Sequence, residues 1–402
     1  MKRFKKFLSV AMVSAMVLAM AGCGNNADAG NQGSGNNTSS GSNAGDSAGV
    51  FKIGGIGPTT GGAAIYGINT MNGVQIAVDE INAAGGVNGY KLEINFQDDE
   101  HDPEKSINAY NTVKDWGAQM IIGCVTSGPC IAVSELTHED NMMMLTPSAS
   151  AVKATQYDNA FQVCFSDPNQ GAASAQYIGE NKLATKVAVI YDSSDIYSSG
   201  IYESFVKGAE EQSFEIVSAE AFTSENKTDF SVQLQKAKDA GADLVFLPIY
   251  YQEAALILTQ ANSMGYAPKW FSCDGMDGIL GGVENFDTSL AEGVMLLTPF
   301  AADAEDEASK KFTAAYQEAY SETPNQFAAD GYDAVYILVE AIKQSNATPS
   351  MSVSELGDAL KGAMTQITVD GVTGEGMTWV ETGEVNKAPR AVVIKDGAYT
   401  AM

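Results

Sequence analysis

The sequence is poor in the residues on which most metal and acid–base sites depend. Its 402 residues include only two histidines and five cysteines. The cysteines form no C-x-x-C pair and have no neighbouring histidine. A histidine-centred catalytic or metal site is therefore not expected, although carboxylate, lysine or tyrosine chemistry stays open. We predict no metal and no cofactor, and we expect the four cysteines that follow Cys23 to be buried, with no disulfide assignable from sequence.

Basic residues are also scarce. There are 23 Lys and Arg against 50 Asp and Glu, which gives a net charge of -27. So acidic a surface repels phosphate backbones and argues against a nucleic-acid partner. Hydrophobic residues make up 45% of the chain and charged residues 18%, so it is neither disordered nor fibrous, and it is long enough for two or three packed domains.

Residues 1–22 have the layout of a secretory signal peptide. Four basic residues precede an uncharged apolar run, Phe7 to Gly22. That run is too short for a comfortable transmembrane span, although a short N-terminal anchor helix is the alternative.

Residues 23–49 are predicted to be a lipidated cysteine and a disordered linker. Residues 18–23 resemble the lipobox of bacterial lipoproteins, in which the cysteine is diacylated, although Met20 stands where that pattern prefers leucine. Cys23 would then carry the lipid. Residues 24–49 contain only small and polar types, which cannot bury enough apolar surface to offset the entropy of ordering. An anchor and a tether imply an extracytoplasmic domain held at a bacterial membrane.

The remaining chain alternates between strand and helix patterns. Residues 50–56 read as a strand, residues 65–84 carry a helical apolar stripe, and residues 120–125 form a short apolar strand of the buried parallel kind. The same rhythm returns after residue 186, so we predict an α/β fold with parallel sheets. Residues 114–122 and 238–246 share one pattern of helix end, glycine turn and buried strand, which suggests two similar lobes.

The glycine-rich loop at residues 55–61 invites a nucleotide-binding interpretation. Its G-x-G-x-x-x-G spacing and Pro58 do not fit the dinucleotide motif. A loop that lets a small ligand approach the backbone is the preferred interpretation, and a simple tight turn is the alternative. The sequence has no P-loop, no G-x-S-x-G elbow and no zinc motif.

Polar residues follow several predicted strands, where open α/β sheets place ligands. Ser127, Ser148 and Ser150 follow strands of the first half, and each could instead be an ordinary helix-capping serine. Tyrosines and Asp274 follow strands of the second half. Donors on one half and an acid with aromatic rings on the other suit a zwitterionic ligand.

With these motifs the chain resembles the extracytoplasmic solute-binding proteins of ABC transporters, within the leucine/isoleucine/valine-binding group. The resemblance covers nearly all of residues 50–400. It rests on residues 56–61, 78–89, 98–99 with 102–103, 145–150 and 331–334.

The resemblance implies two doubly wound Rossmann-like lobes joined by a three-segment hinge, the type I periplasmic-binding-protein fold. Residues 50–166 and 298–372 would form the first lobe. Residues 167–297 and 373–402 would form the second. The lobes would close around a ligand by hinge bending.

The resemblance also implies roles for seven residues. Ser127 and Ser150 would bind an α-carboxylate, and the Ser148 carbonyl and Asp274 would bind an α-ammonium. The cleft would be lined by Tyr66, Tyr197 and Tyr250. Asp274 stands where well-known members have glutamate, which has a longer reach. Their disulfide is absent, since His101 and Thr126 occupy its positions.

We therefore expect a lipid-anchored monomer that captures an amino acid, with leucine, isoleucine or valine foremost, and delivers it to the transmembrane subunits of an ABC permease. It would not be an enzyme. One alternative keeps the fold but changes the ligand to an amide, a urea-like compound, a short peptide or another amino acid, for transport or for sensing. A distant alternative is a secreted serine hydrolase that uses Ser127 or Ser148.

Overall fold

The computed structural model describes residues 49–402. The predicted signal peptide, Cys23 and all of the predicted linker but its last residue lie outside the described residues. None of the helices within residues 49–402 is both long and apolar enough to cross a membrane.

The first lobe is built on a five-stranded sheet in the order β2-β1-β3-β4-β5, in which all strands are parallel. Helices connect the strands, as the alternating sequence pattern predicts. The strands are β1 (Val50–Gly57), β2 (Lys91–Asp98), β3 (Met120–Ile122), β4 (Met143–Thr146) and β5 (Ala160–Gln162), and the helices are α1 (Ala64–Ala83), α2 (Pro103–Trp116) and α3 (Ser127–Glu139).

The second lobe is built on a seven-stranded sheet in the order β12-β11-β10-β9-β8-β6-β7. Five strands are parallel, and β11 and β12 complete the edge as antiparallel strands. The helices are α4 (Asp167–Glu180), α5 (Ile196–Ala209), α6 (Ser231–Asp239) and α7 (Tyr251–Ser263). The strands are β6 (Lys186–Asp192), β7 (Glu215–Phe222), β8 (Leu244–Leu247), β9 (Lys269–Ser272), β10 (Met295–Thr298), β11 (Arg390–Lys395) and β12 (Ala398–Ala401). The predicted α/β fold with two parallel-sheet lobes is confirmed.

Three helices after β10 return to the first lobe, namely α8 (Glu307–Tyr320), α9 (Gln326–Ser345) and α10 (Val353–Met364). Glu80 of α1 ties two of them to the lobe, because its Oε2 accepts hydrogen bonds from Tyr332 and Tyr336 of α9 at 2.8 Å and from Lys311 of α8 at 2.9 Å.

The last chain segment keeps contact with the first lobe until shortly before β11. The Trp379 indole donates a hydrogen bond of 2.8 Å to the Gln162 carbonyl of β5. Further on, the buried Lys387 ammonium lies 2.5 Å from Thr373 Oγ1 and 3.5 Å from Asp330 of α9. The lobe boundaries given above stay a prediction, and these contacts favour a third crossover close to residue 387.

Local chemistry explains where two predicted elements differ from the structure. Strand β3 ends at Ile122 rather than Val125 because Gly123 has φ = 135° and packs against the backbone of Ile56, where a side chain would clash. The apolar pattern predicts a helix from Tyr202, but helix α5 begins six residues earlier, at Ile196, because Asp195 accepts a capping hydrogen bond from the backbone of Ser198 at 3.0 Å.

The four cysteines match their predicted place in the core, and a run of methionines lies there with them. Cys124, Cys130, Cys164 and Cys273 are all buried free thiols. The run Met142–Met144 is at most 1% exposed, which agrees with a core role rather than a flexible binding surface.

Replacing Gly73 by alanine is expected to destabilise the protein by about 1–3 kcal/mol or more through overpacking. Gly73 of α1 lies against α9, and an added Cβ would sit 1.9 Å from the Ala328 carbonyl oxygen. Urea unfolding measures the change. The matched control is Gly362→Ala on α10, where an added Cβ meets no atom within 4 Å and alanine favours the helix. Equal stability of the two variants would contradict this account of the α1–α9 contact.

Candidate functional site

All seven predicted site residues lie just beyond the carboxyl ends of strands. Tyr66 follows β1, Ser127 follows β3, and Ser148 and Ser150 follow β4 in the first lobe. Tyr197 follows β6, Tyr250 follows β8 and Asp274 follows β9 in the second. Tyr250 is partly buried and the other six are between 1% and 6% exposed. The two sheets thus direct their polar ends toward one interlobe cleft, as expected for open α/β sheets.

The three serines have different hydrogen-bonding states. Ser127 Oγ accepts a hydrogen bond of 3.2 Å from the Ala151 backbone. Ser148 Oγ donates one of 2.6 Å to the Val125 carbonyl. Ser150 Oγ is buried and lies near the Asp167 carboxyl group, but it forms no hydrogen bond of normal geometry among residues 49–402. A buried hydroxyl without a partner is costly, so Ser150 is the serine best placed to donate to a ligand.

Asp274 is held by the second lobe. The Tyr197 hydroxyl donates a hydrogen bond of 2.6 Å to Asp274 Oδ1 and accepts one of 2.9 Å from the backbone of Gly275. The Tyr250 ring stacks on the Tyr197 ring, with centroids 4.9 Å apart and planes 6° from parallel.

Burial raises the pKa of Asp274 to about 6, although hydrogen bonds from Tyr197, Gly275 and Gln170 favour the carboxylate. No basic side chain is among the groups that shift this pKa. A cation brought next to Asp274 would supply the missing charge and stabilise its ionised form.

Tyr66 connects the two lobes directly. It belongs to α1 of the first lobe, and its hydroxyl donates a hydrogen bond of 2.5 Å to the Gly275 carbonyl of the second. The same oxygen accepts a hydrogen bond of 3.3 Å from the backbone of Tyr251. Its ring contacts Phe327, with centroids 4.3 Å apart, and Tyr250 at 5.6 Å. Aromatic side chains therefore form one wall of the cleft.

The first turn of α4 adds two residues that the sequence reasoning missed. The Asp167 backbone donates a hydrogen bond of 2.8 Å to the Ser150 carbonyl, and Gln170 Oε1 accepts one of 3.4 Å from the backbone of Asp274. This turn joins the serine side of the cleft to the acid side.

Asp167 is a second buried acid next to Ser150. Burial raises its pKa well above the ordinary value, while the Ser150 hydroxyl lowers it and the Asp274 charge raises it further. Its Oδ1 has no hydrogen-bond partner within the described chain. In the sequence, Ser166-Asp167-Pro168 looks like an ordinary helix start, so no local signal marks this acid as part of a site.

His101 and Thr126, at the positions where well-known members of the resembled group carry a disulfide, are joined by a hydrogen bond. His101 Nδ1 lies 2.9 Å from Thr126 Oγ1, and the imidazole meets the Tyr250 ring edge-on at 5.4 Å. Burial lowers the pKa of His101, which favours the neutral ring. The ring contact between His101 and Tyr250 therefore joins the first lobe to the second without a covalent bond.

The serine hydrolase alternative finds no histidine base beside Ser127 or Ser148 in the described chain. His101 is hydrogen-bonded to Thr126, and His138 stacks on Tyr157 at 4.3 Å. Neither histidine forms a hydrogen bond with Ser127 or Ser148, as an activated serine requires. Residues 49–402 also contain no group of histidine, cysteine and acidic side chains able to hold a metal ion.

Two α/β lobes with a polar, aromatic-walled cleft at the carboxyl ends of facing sheets define a type I periplasmic binding protein. The chain belongs to the family described as periplasmic binding protein, which matches residues 50–398. It is an extracytoplasmic binding protein of the ABC importer class. Members of this family bind the substrates of ABC transporters.

Relatives and solved structures agree on this family. The Leu/Ile/Val-binding protein homolog 1 of Brucella suis is 31% identical over 328 residues, which cover 77% of this chain and 83% of the relative. The leucine-, isoleucine-, valine-, threonine-, and alanine-binding protein of Pseudomonas aeruginosa is 27% identical, over 77% of this chain and 82% of its own length. The branched-chain amino acid transporter substrate binding protein LivJ from Streptococcus pneumoniae, solved in complex with isoleucine, aligns with a TM-score of 0.79 and 29% identity, over 88% of this chain and 98% of that one.

Proposed function

We propose that this protein captures an amino acid, foremost leucine, isoleucine or valine, in the interlobe cleft and delivers it to the transmembrane subunits of an ABC permease. The observation that carries the proposal is that the first turn of α4 contacts both Ser150, a buried hydroxyl with no normal hydrogen bond, and Asp274, a buried acid without a counter-charge. A zwitterion satisfies both groups at once.

The two ends of the amino acid would be held by different lobes. Its carboxylate would accept hydrogen bonds from Ser127 and Ser150, near the positive end of α3, which begins at Ser127. Its ammonium would lie between the Ser148 carbonyl and Asp274. Because these contacts form only when the lobes are together, ligand binding favours closure.

The aliphatic side chain would pack on the aromatic wall made by Tyr66, Tyr197, Tyr250 and Phe327. These rings contact one another through Tyr66 and Tyr250. The relatives whose names include leucine, isoleucine and valine support this choice of ligand.

The N-terminal region would hold the protein at the membrane. A lipid on Cys23 and the polar linker would keep the binding domain, as a monomer, within reach of the permease. Because the surface is strongly acidic, attraction to anionic lipids would not provide this anchoring. Metabolic labelling with a fatty acid, compared between wild type and Cys23→Ala, tests the anchor.

Calorimetric titration with single amino acids tests the proposed ligand. We expect leucine, isoleucine or valine to bind, and Ser127→Ala to weaken the binding more than tenfold through loss of a donor to a charged group. Ser134→Ala is the matched control, because Ser134 lies on the same helix and its hydroxyl bonds only to the Ile131 carbonyl. Silence across aliphatic, aromatic and small polar amino acids would reject the specific claim.

The position of Asp167 favours a second candidate ligand, one that carries an additional hydrogen-bond donor. The buried Asp167 Oδ1 without a partner could accept a hydrogen bond from a ligand hydroxyl or amide. The second candidate is therefore the same receptor for a hydroxylated amino acid, an amide or a urea-like compound, in transport or sensing. Threonine, asparagine and urea in the same titration series decide between the two, because a preference for one of them over valine would reverse the order.

A further inference from the structure

A cavity of about 810 Å³ between the lobes has no part in the proposed function. Ile65 and Ile68 of α1 line it from the first lobe, and Leu280, Ala398 and Tyr399 line it from the second. Its volume lies in the range of small-molecule sites, which are mostly apolar with a few polar groups.

This cavity is distinct from the amino-acid cleft. None of the seven predicted site residues lines it. Tyr251 lines the cavity and meets Tyr66 edge-on, with centroids 5.1 Å apart. The Tyr66–Tyr251 pair therefore forms a wall between the two spaces.

The polar lining of the cavity carries charge of one sign. Asp277, Asp303 and Glu322 line it, and no lysine, arginine or histidine does. Asp277 is 4% exposed. Its Oδ2 accepts a hydrogen bond of 2.8 Å from the backbone of Gln326, while its Oδ1 forms no hydrogen bond of normal geometry in the described part of the chain, although the Tyr399 hydroxyl lies near the carboxyl group.

Burial raises the pKa of Asp277 to about 6, although the Gln326 and Gly278 backbones and the nearby Tyr399 hydroxyl favour the carboxylate. An ionised Asp277 at neutral pH is therefore poorly compensated by the protein itself. A cation in the cavity would relieve this cost.

We propose that this interlobe cavity is a second binding site that takes a small organic amine, with its ammonium on Asp277 and its apolar body against Ile65, Leu280 and Ala398. The absence of a basic residue in the lining selects against a carboxylate on the ligand. An amine without the α-carboxylate of an amino acid therefore suits this site and not the cleft. Because both lobes line the cavity, its occupant favours their closed arrangement.

The experiment titrates the protein with 2-phenylethylamine by calorimetry and repeats the titration with 3-phenylpropionate, an anion of similar size. We expect the amine to bind and the acid not to bind. Asp277→Asn should weaken amine binding more than tenfold, because it removes the charge. The asparagine oxygen can still accept the hydrogen bond from Gln326, so the fold is kept, which thermal unfolding verifies.

A second variant fills the cavity without touching Asp277. Gly281 lines the cavity, and a Cβ added there meets no atom within 4 Å, so Gly281→Leu should place its side chain in this space and also abolish amine binding. Gly362→Leu is the matched control, since its added Cβ is equally free of contacts and Gly362 lies outside the lining. It should leave amine binding unchanged.

The variant Asp274→Ala shows whether the amine binds in the cavity or in the amino-acid cleft. It damages only the cleft, and the amine titration does not require amino-acid binding. Amine binding that survives Asp274→Ala and is lost in Asp277→Asn and Gly281→Leu supports the second site. The proposal is overturned if Asp274→Ala abolishes amine binding while the two cavity variants keep it. It is also overturned if the amine does not bind at all, or if 3-phenylpropionate binds equally well.

Discussion

Replacing Asp274 by alanine is expected to weaken amino-acid binding by at least about thirtyfold, because losing one partner of a buried charge pair costs about 2–5 kcal/mol. The ligand ammonium would be left in a buried pocket with no anion at bonding distance. Titration calorimetry with the best-binding amino acid of the series measures the loss. Thermal unfolding should show a folded variant, since Asp274 carries an uncompensated charge in the free protein.

Two further variants make this test specific. Asp274→Glu keeps the charge and supplies the longer side chain found in well-known members of the group, so it should retain most of the affinity. Asp277→Asn removes the charge of another buried acid, one that lines the separate cavity, and should leave amino-acid affinity close to wild type. Wild-type affinity in Asp274→Ala would remove Asp274 from the site.

Amino-acid affinity is expected to fall by about tenfold per pH unit as the pH drops below about 6. Burial raises the pKa of Asp274 to about 6 in the free protein, so its carboxyl group is ionised above this pH and protonated below it. A bound ammonium prefers the ionised form and lowers this pKa. Binding is therefore strongest above pH 6. Below that pH the Asp274 carboxyl group must lose its proton before it can pair with the ammonium, which lowers the affinity.

Other acids near the cleft also have raised pKa values, so the test compares the pH profile of wild type with that of a variant that lacks the Asp274 carboxyl group. Burial also raises the pKa of Asp195, to about 6, and that of Asp167. Affinities measured from pH 4.5 to pH 8 in wild type and in Asp274→Asn separate their effects. The asparagine variant should bind weakly with a much flatter pH profile, and an equal slope in both proteins would assign the proton to another group.

The positions of the site residues could be predicted because they depend on strand ends, which are local. Ser127, Ser148 and Asp274 each follow a short apolar strand, and the carboxyl ends of parallel strands converge at one edge of a sheet. The zwitterion hypothesis needed only this convergence and the chemistry of the side chains. Their roles stay predictions until the variants are measured.

Contacts between distant segments could not be predicted in the same way. The Tyr66–Gly275 hydrogen bond joins residues 209 positions apart, and nothing near Tyr66 in the sequence specifies that partner. Asp167 was missed because an acid in the first turn of a helix is common for reasons unrelated to ligands. The second cavity was missed because its lining comes from short turns and helix ends of both lobes, which carry no periodic pattern.

Tyr66 also has a consequence for the time course of transport. Its hydroxyl bonds to two backbone groups of the opposite lobe, so we expect a captured molecule to leave only after both contacts are broken. The lifetime of the loaded receptor is then governed by how often the lobes separate, as well as by how tightly the cargo is held. A transporter that pulled the lobes apart would break these contacts and free the cargo in one movement, which makes delivery faster at the membrane than in solution.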